Sequence, residues 1–310
     1  MEELDYAGNE VIAVCIVRNG ALHIQSFIDH HFDLGVKHII FLDNCSTDET
    51  INIAAEYSNI TILQSKCPYQ TYENTMKRYM VQKFARNQWS LTVDIDERFD
   101  YPYSGQLPIG SFLTYLNTYN YTAVVTQMLD LFDANAITDN SSQNSKPIKE
   151  TCHYYDISNI EKTKYPYGIL SNSNVKMHWG GIRRTIFGTE NGLTKASLIL
   201  LDRKIKPFVD WHHARHARIA DITCILLHYP FRGPFREKVN DAVRTGRYGK
   251  FTTREYKKYW QILKQNPTLT VKLDAAQKFK DIETLVNAGF ILVSDAYLNW
   301  VERHSGMLKH

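Results

Sequence analysis

The feature that most constrains the fold is the alternation of short apolar segments with segments of helical spacing over the first 130 residues. The apolar segments are VIAVCIV (11–17), KHIIFLD (37–43), ITILQS (60–65) and SLTV (90–93). The segments between them are LHIQSFIDHHFDLG (22–35), STDETINIAAEYS (46–58) and QTYENTMKRYMVQKFARN (70–87). This rhythm predicts an α/β fold with a mostly parallel, twisted sheet and helices on both faces.

Two of the predicted helices carry recognisable boundary residues. Gly35 follows the first helical segment and is a good stop signal. Ser46 or Thr47 is placed to cap the second helix, and acidic residues follow in its first turn.

The second half of the chain has a different organisation. The segment DANAITDNSSQNSKP (133–147) is polar and rich in turn-forming residues, so it predicts a loop. After residue 230 three periodic segments predict helices: PFREKVNDAVRTGRYG (234–249), TTREYKKYWQILKQ (252–265) and DAAQKFKDIETLVNAGF (274–290). We therefore expect an α/β domain over residues 1–230 and a helical extension, 231–310, packed on it.

Composition excludes several classes of protein. The 36 basic and 33 acidic residues nearly balance, so no nucleic-acid partner is expected. The five cysteines contain no C-x-x-C pair and are typical of reduced thiols in a cytosolic protein. The first ten residues are polar and acidic, unlike a signal peptide, and VIAVCIV is far too short to span a membrane. The expected location is the cytoplasm.

Three polar clusters directly follow predicted strands, and they carry most of the chemistry. They are VRN (17–19), DNCSTD (43–48) and DIDE (94–97). Parallel topology places the carboxyl ends of these strands at one edge of the sheet, where open α/β sheets bind ligands.

DNCSTD and DIDE each have two interpretations. DNCSTD suits an Asx-type turn that caps the next helix, or a pocket that binds a base and ribose. DIDE suits a solvated turn, or a cation site. Because Asp94 and Asp96 are two residues apart on leaving a strand, their side chains project to the same side. Oxygen ligands at this spacing suit Mg²⁺ or Mn²⁺.

The order VxxxVRN, LGVKHIIFLDNCSTDET and LTVDIDERF resembles the family 2 type glycosyltransferases with the GT-A fold. The resemblance is strong over residues 11–100 and looser over 175–250. It implies a GT-A, Rossmann-like sheet in which residues 1–230 bind a nucleotide-diphosphate sugar and catalyse its transfer. One departure is that Gly20 and Ala21 follow Asn19, where many members have an acidic residue.

The resemblance also implies roles for individual residues. Asp96 would be the direct ligand of Mn²⁺ or Mg²⁺, and Asp94 would contact the ribose, the metal or metal-bound water. Asp43 would contact the base or ribose. The residues implied to surround the nucleoside are Val17, Arg18, Asn19, Asp43, Asn44, Ser46 and Asp48.

The expected activity is a metal-dependent transfer of a sugar, with inversion, to a saccharide or glycoconjugate acceptor in surface polysaccharide synthesis. The alternatives are a sugar nucleotidyltransferase and a non-catalytic module that binds nucleotide or glycan. A nucleotidyltransferase normally has a glycine-rich loop with a basic residue after its first strand, whereas VRNGALH has one glycine there.

The catalytic base stays open between three carboxylates. Glu97 ends the DIDE cluster, Asp130 ends a predicted fifth strand, and Glu190 follows the segment GGIRRTIFG. Asp130 has the better position because strand ends face the cleft, but a cap or turn residue is an equal interpretation.

A late histidine is expected to complete the metal site. His228 closes the apolar run ITCILLHYPF, as a strand-end residue would, and His212 and His213 are the alternatives. His212 and His216 have the spacing of a zinc helix, but the glutamate and a third ligand are missing, so we reject zinc.

Two basic features complete the predictions. Gly181, Arg183 and Arg184 form a glycine turn with paired arginines that would bind phosphate, or a hairpin with exposed arginines. Nine basic residues between 232 and 258 are typical of a solvated helix face. The alternatives are binding of diphosphate, binding of an anionic acceptor, and a peripheral contact with the headgroups at the inner face of a membrane.

Overall fold

The computed structural model describes residues 4–137, 148–202, 205–207 and 212–305. The strands are β1 (Val11–Val17), β2 (His38–Asp43), β3 (Ile60–Gln64), β4 (Trp89–Thr92), β5 (Glu97–Asp100), β6 (Ala123–Asp130), β7 (Tyr154–Tyr155), β8 (Ile160–Lys164), β9 (Ile169–Leu170), β10 (Lys176–Gly180), β11 (Thr194–Leu200), β12 (Arg218–His228) and β13 (Gln277–Lys278). The helices are α1 (Ala21–Asp33), α2 (Thr50–Ala55), α3 (Tyr69–Phe84), α4 (Ile109–Thr118), α5 (Ile148–Thr151), α6 (Ile182–Phe187), α7 (Phe235–Thr245), α8 (Lys250–Gln265), α9 (Ile282–Asn287) and α10 (Asp295–His304).

A nine-stranded sheet forms the centre of the molecule, in the order β3-β2-β1-β4-β11-β6-β12-β5 with β9 beside β12. The first four strands in this order are all parallel. Strand β11 runs antiparallel between β4 and β6, and β12 is parallel to β6. The predicted α/β fold with a mostly parallel sheet and flanking helices is therefore confirmed.

The central strands read as continuous apolar runs because helices cover them. All seven residues of β1 and all eight of β6 are buried. Helix α1 packs Ile24, Phe27 and Ile28 into the core that also contains β2 and α4. Helix α3 packs Met76, Met80 and Val81 into a second core with other residues of β1.

Several predicted helices have different bounds in the structure. The helix predicted over 46–58 begins only at Thr50, because Ser46 and Thr47 bond to the loop after β1. The helix predicted over 70–87 runs from Tyr69 to Phe84.

The prediction of one helix over 274–290 is wrong. Gln277 and Lys278 pair with β7 as strand β13, and only Ile282–Asn287 is helical. The helix starts there because the Asp281 side chain accepts a hydrogen bond from Thr284 N at 2.8 Å.

The C-terminal part contributes to the same cores as the sheet. Tyr297 and Val301 of α10 lie in the core that contains α4, and Leu292 N donates to Thr223 Oγ1 of β12 at 2.8 Å. Most of the predicted loop over 133–147 falls on residues 138–147, which lie outside the described residues. Among the helices of the described ranges, none has the length and apolar character needed to cross a bilayer.

A hydrogen bond of a buried tyrosine gives a prediction about the stability of this packing. Tyr115 on α4 is fully buried, and its hydroxyl donates to the Asp221 carboxylate, with oxygen distances of 2.8 and 2.9 Å. We expect Tyr115→Phe to lower the free energy of unfolding by about 1–3 kcal/mol, because the buried Asp221 carboxylate loses one of its donors.

Chemical denaturation monitored by circular dichroism measures this change. Tyr119→Phe is the matched control, since Tyr119 ends the same helix but is 46% exposed. Equal unfolding free energies for the two variants would contradict the importance of the Tyr115–Asp221 bond.

Candidate functional site

The carboxyl ends of five strands meet at one edge of the sheet. Strands β1, β2 and β4 end there at Val17, Asp43 and Thr92. Strands β6 and β12 run in the same direction, and their last residues, Asp130 and His228, are paired in register. The predicted convergence of the polar clusters is therefore present, and β6 and β12 add a carboxylate and an imidazole to it.

The loop after β1 is held by the DNCSTD turn. Asn19 N donates to Ser46 Oγ at 2.9 Å, Gly20 N to Thr50 Oγ1 at 2.7 Å, and Ala21 N to an Asp48 carboxylate oxygen at 3.1 Å. These amides would otherwise point out of the start of α1. They are already bonded, so this loop does not offer them to a phosphate group.

Asp43 and Asn44 are also part of this turn. Asp43 Oδ1 accepts from Ser46 N at 2.9 Å, which is the Asx-type turn of the first interpretation. The amide of Asn44 donates to Ser65 O at 2.8 Å and Cys67 O at 2.9 Å, so it joins the loop after β3. Arg18 is exposed. A nucleoside role for these residues stays a prediction.

Asp94 lies between two buried lysines. Its carboxylate is 2.7 Å from Lys195 Nζ and 3.5 Å from Lys77 Nζ. Lys195 also contacts Glu97 Oε1 at 2.5 Å, and Glu97 Oε2 accepts from Asp94 N at 2.9 Å. Burial alone would raise the pKa of Asp94, but the two lysines outweigh it and hold that pKa well below its usual range. Both oxygens of Asp94 face ammonium groups, which does not favour metal coordination by this residue.

Asp96 faces His228 at the end of β12. Asp96 Oδ2 is 3.7 Å from His228 Nε2, too long for a hydrogen bond, and 3.4 Å from Lys238 Nζ on α7. The other ring nitrogen of His228, Nδ1, lies 2.6 Å from Asp130 Oδ1. His228 is therefore oriented by Asp130 with Nε2 directed at Asp96.

Asp130 continues the chain of charges into the second half of the protein. Its other oxygen accepts from Arg183 Nε at 2.7 Å, and Arg183 Nη1 lies 3.6 Å from Glu255 on α8. Glu255 also accepts from Asn191 and from Tyr259. The set Lys238, Asp96, His228, Asp130, Arg183 and Glu255 is called the charge chain below.

The charge chain shifts the pKa of its members. Burial lowers the pKa of His228, but Asp96 and Asp130 outweigh it and raise that pKa to about 9. The pKa of Asp96 is held well below its usual range by Lys238 and His228 despite burial. Arg183 and His228 likewise lower the pKa of Asp130 against its burial. Opposite charges therefore alternate along the charge chain.

None of the three predicted bases is a free carboxylate. Glu97 is 1% exposed and bound to Lys195, although its burial raises its pKa overall. Asp130 is held by Arg183 and His228. Glu190 pairs with Arg184 at the surface. The geometry gives these residues structural partners and does not single out a base.

The predicted arginine turn is only partly as expected. Arg183 is buried against Asp130 instead of facing solvent, and Arg184 pairs with Glu190 and Glu161. Gly180 has φ +90°, and a Cβ there would lie 2.6 Å from the Arg184 guanidinium, so the glycine is needed for Arg184 to cross the backbone. Gly181, at φ +67°, precedes α6.

The alternative histidines have other surroundings. The ring of His213 stacks on Tyr167 at 4.3 Å, and its Nδ1 lies 3.2 Å from Tyr165 Oη, which is a packing role. His212 lines a small pocket of about 10 Å³ together with Lys77, Asp94 and Lys195.

The lysines of the site were missed by sequence reasoning. Lys77 lies in the helical segment 70–87 and Lys195 in the apolar strand TKASLIL, 101 residues from Asp94. A lysine within an otherwise apolar strand is the one signal that points to a buried partner. Lys238 belongs to the basic run between residues 232 and 258, which is typical of a solvated helix face.

Asp96 and His228 offer a carboxylate and an imidazole nitrogen to a divalent cation. Within the described residues, no group of three or more His, Cys, Asp or Glu side chains is arranged to hold one. Mg²⁺ in nucleotide sites is commonly held by one or two carboxylates plus substrate phosphates, and imidazole is a good ligand for Mn²⁺. A histidine held by a carboxylate through its other nitrogen is typical of metal ligands. The pair fits an ion shared with a bound diphosphate.

Comparisons with known proteins do not show a family for this chain. No protein-family model matches the sequence, and no curated protein matches it. Among solved structures, the chain is similar to 4-diphosphocytidyl-2C-methyl-D-erythritol synthase from Anaerococcus prevotii DSM 20548, at 15% identity and a TM-score of 0.26. That match covers 43% of this chain and 60% of the other.

Two further structures are similar at the same level. Another 4-diphosphocytidyl-2C-methyl-D-erythritol synthase shows 10% identity and a TM-score of 0.25, covering 44% of this chain and 66% of the other. A UDP-glucose pyrophosphorylase complexed with UDP-glucose shows 8% identity and a TM-score of 0.27, covering 81% and 98%. These names match the nucleotidyltransferase alternative rather than the main expectation. At such TM-scores the likeness carries no argument about activity.

The buried lysine gives a prediction about stability. Lys195→Met removes the cation that Asp94 and Glu97 share, so Glu97 loses its ammonium partner and Asp94 keeps only Lys77. We expect the free energy of unfolding at pH 7 to fall by about 3–5 kcal/mol.

Denaturant unfolding checks this prediction. Lys37→Met is the matched control, because it removes an exposed ion pair with Glu10 and should cost about 1 kcal/mol or less. A loss for Lys195→Met as small as that of the control would show that the carboxylates do not depend on Lys195.

Proposed function

We propose that this chain is a metal-dependent glycosyltransferase of GT-A type that uses a nucleotide-diphosphate sugar. The observation that carries the proposal is the pair formed by Asp96 and His228 at the carboxyl edge of the sheet, with Nε2 directed at the carboxylate and Nδ1 held by Asp130. This is the position at which open α/β sheets bind their ligands.

Asp96 and His228 would hold Mn²⁺ or Mg²⁺ together with the diphosphate. When bound, the ion neutralises the negative charge that develops on the leaving diphosphate, which is worth several kcal/mol to such a reaction. Asp130 keeps the proton on Nδ1 of His228, so Nε2 is the nitrogen that would give up its proton and bind the ion.

Two lysines support the same site from different elements. Lys238 lies 3.4 Å from Asp96 and is 33% exposed, so it can turn from the carboxylate to a phosphate oxygen. Lys77 and Lys195 keep Asp94 ionised, which makes its carboxylate an acceptor for ribose hydroxyl groups. Asp94 thus keeps the ribose role and is not proposed as a direct metal ligand.

Aromatic side chains line the approach to the carboxylates. Tyr248 stacks on Tyr256 at 5.1 Å, and its ring edge meets Tyr69 at 6.2 Å. The charges of Asp94 and Asp96 act on Tyr69 and Tyr256 respectively and, after burial, help to raise their pKa values. Tyrosine faces of this kind suit stacking on a base or a sugar ring. We propose that the saccharide or glycoconjugate acceptor enters between α3 and α7–α8.

The sugar nucleotidyltransferase is the second candidate. Its phosphate-binding loop would use the backbone amides after β1. Here Asn19, Gly20 and Ala21 already donate to Ser46, Thr50 and Asp48, which weighs against it.

Nucleotide binding tests the role of Asp96. We expect Mn²⁺ to strengthen calorimetric binding of one of UDP, GDP, CDP and dTDP. Asp96→Ala should weaken that binding at least about tenfold because the ion loses a ligand. Asp274→Ala, an exposed aspartate far along the chain, is the control. Metal-independent binding, or unchanged binding by Asp96→Ala, would contradict the metal site.

The reaction product separates the two enzyme classes. With nucleotide-sugar and a saccharide acceptor, we expect release of nucleoside diphosphate that is lost in Asp96→Ala. With nucleoside triphosphate and sugar 1-phosphate, we expect no pyrophosphate. Release of pyrophosphate in the second assay, with no nucleoside diphosphate in the first, would establish the nucleotidyltransferase instead.

A further inference from the structure

A second cavity lies on the other face of the sheet from the charge chain. Its volume is about 330 Å³, within the range of small-molecule sites. It is enclosed by the central sheet, the hairpin of β8 and β10, and the segment 286–293. Gln127 and Asp130 are three residues apart on β6, so their side chains project to opposite faces. Thr194 and Lys195 are adjacent on β11, so their side chains also project to opposite faces of the sheet. Thr194 contacts Gln127 on the face of the cavity, and Lys195 contacts Asp94.

The floor of the cavity is polar and rigid. Gln127 is 1% exposed and spans the wall, donating to Lys176 O at 2.9 Å and accepting from Thr194 Oγ1 at 2.7 Å. His178 is 3% exposed, and its Nδ1 has no hydrogen-bond partner in the described parts of the chain. A buried ring nitrogen without a partner is costly, so the site presents a polar group that the described chain does not satisfy.

Two lysines stand at the mouth of the cavity. Lys162 Nζ donates to Gly289 O at 2.6 Å, and Lys176 Nζ donates to Ser173 O at 3.0 Å. The carbonyl contacts leave each ammonium group further protons to donate. Neither lysine forms an ion pair with a carboxylate of the described residues, in contrast to Lys77, Lys195 and Lys238. The charge at the mouth is thus positive and uncompensated.

The remaining wall is apolar. Phe290, Ile291, Leu292 and Val293 line it, and Phe290 also packs on the His178 ring at a centroid distance of 5.0 Å. Thr223 fixes this segment to β12 through its bond with Leu292 N. The wall therefore offers a preformed surface to the carbon skeleton of a ligand.

From this arrangement we infer that the cavity is a binding site for a small organic anion, such as a sugar or hydroxy acid that carries one phosphate or carboxylate. The anionic group lies between Lys162 and Lys176, hydroxyl groups reach the His178 side of the floor, and the carbon skeleton packs on Phe290. This site is separate from the Asp96–His228 pair and does not depend on the proposed transferase activity.

Calorimetry with defined probes tests the site on the full chain. The probes are a hexose 1-phosphate, a hexuronate, the neutral hexose, and inorganic phosphate alone. We expect the phosphate and carboxylate sugars to bind at least about tenfold more tightly than the neutral hexose, and their affinities to fall as salt is added. Tighter binding of one of the two sugars identifies which anionic group the site takes.

Variants locate the probe. The double variant Lys162→Gln with Lys176→Gln should weaken binding about tenfold, whereas Lys164→Gln, an exposed lysine on the same hairpin, should not. His178→Gln should reduce the preference for sugars over inorganic phosphate. Asp96→Ala should leave binding unchanged.

Three results would overturn the inference. They are the absence of binding by every anion, equal binding by the double lysine variant and the wild type, and loss of binding in Asp96→Ala. The last would place the probe in the carboxylate site instead. Circular dichroism of each variant shows that the fold is retained.

Discussion

The charge chain is the interaction on which the arrangement of this protein depends. It begins at Lys238 on α7, passes through Asp96, His228 and Asp130 at the edge of the sheet, and ends at Arg183 and Glu255 on α6 and α8. Charges buried to this degree are costly unless each has an opposite neighbour. The chain therefore holds the C-terminal helices against the sheet and sets the orientation of His228 at the same time.

A second, smaller group of buried charges is also stabilised by opposite neighbours. Asp94 and Glu97 share Lys195, and Asp94 also faces Lys77. The two aspartates of DIDE thus have different partners, although they leave the same strand two residues apart. Their surroundings therefore differ, because Asp96 faces His228 and Asp94 lies between the ammonium groups of Lys77 and Lys195. The carboxylate pair that the sequence presents as one metal site is divided by its surroundings.

The turn after β2 shows how one motif serves the fold and limits the function. Ser46, Asp48 and Thr50 bond the backbone amides at the start of α1, so the first loop is closed by side chains instead of by a ligand. A protein that cradled phosphate there would need those amides free. Under the proposed function, phosphate would therefore be bound by cations, namely Lys238 and the ion shared with Asp96 and His228.

The sequence by itself determined the alternation of strands and helices from β1 to β4, the meeting of DNCSTD and DIDE at one edge, and the place of His228 at a strand end. Each of these follows from local periodicity and from the rule that parallel strands end together. It did not predict the boundary of α2, the strand β13 within 274–290, or the lysines that surround the aspartates. Those depend on contacts between distant residues, such as Lys195 with Asp94 and Lys238 with Asp96, 101 and 142 positions apart. Local pattern holds no information on which cation will meet which carboxylate, because the packing of the sheet against α3, α7 and α8 decides it.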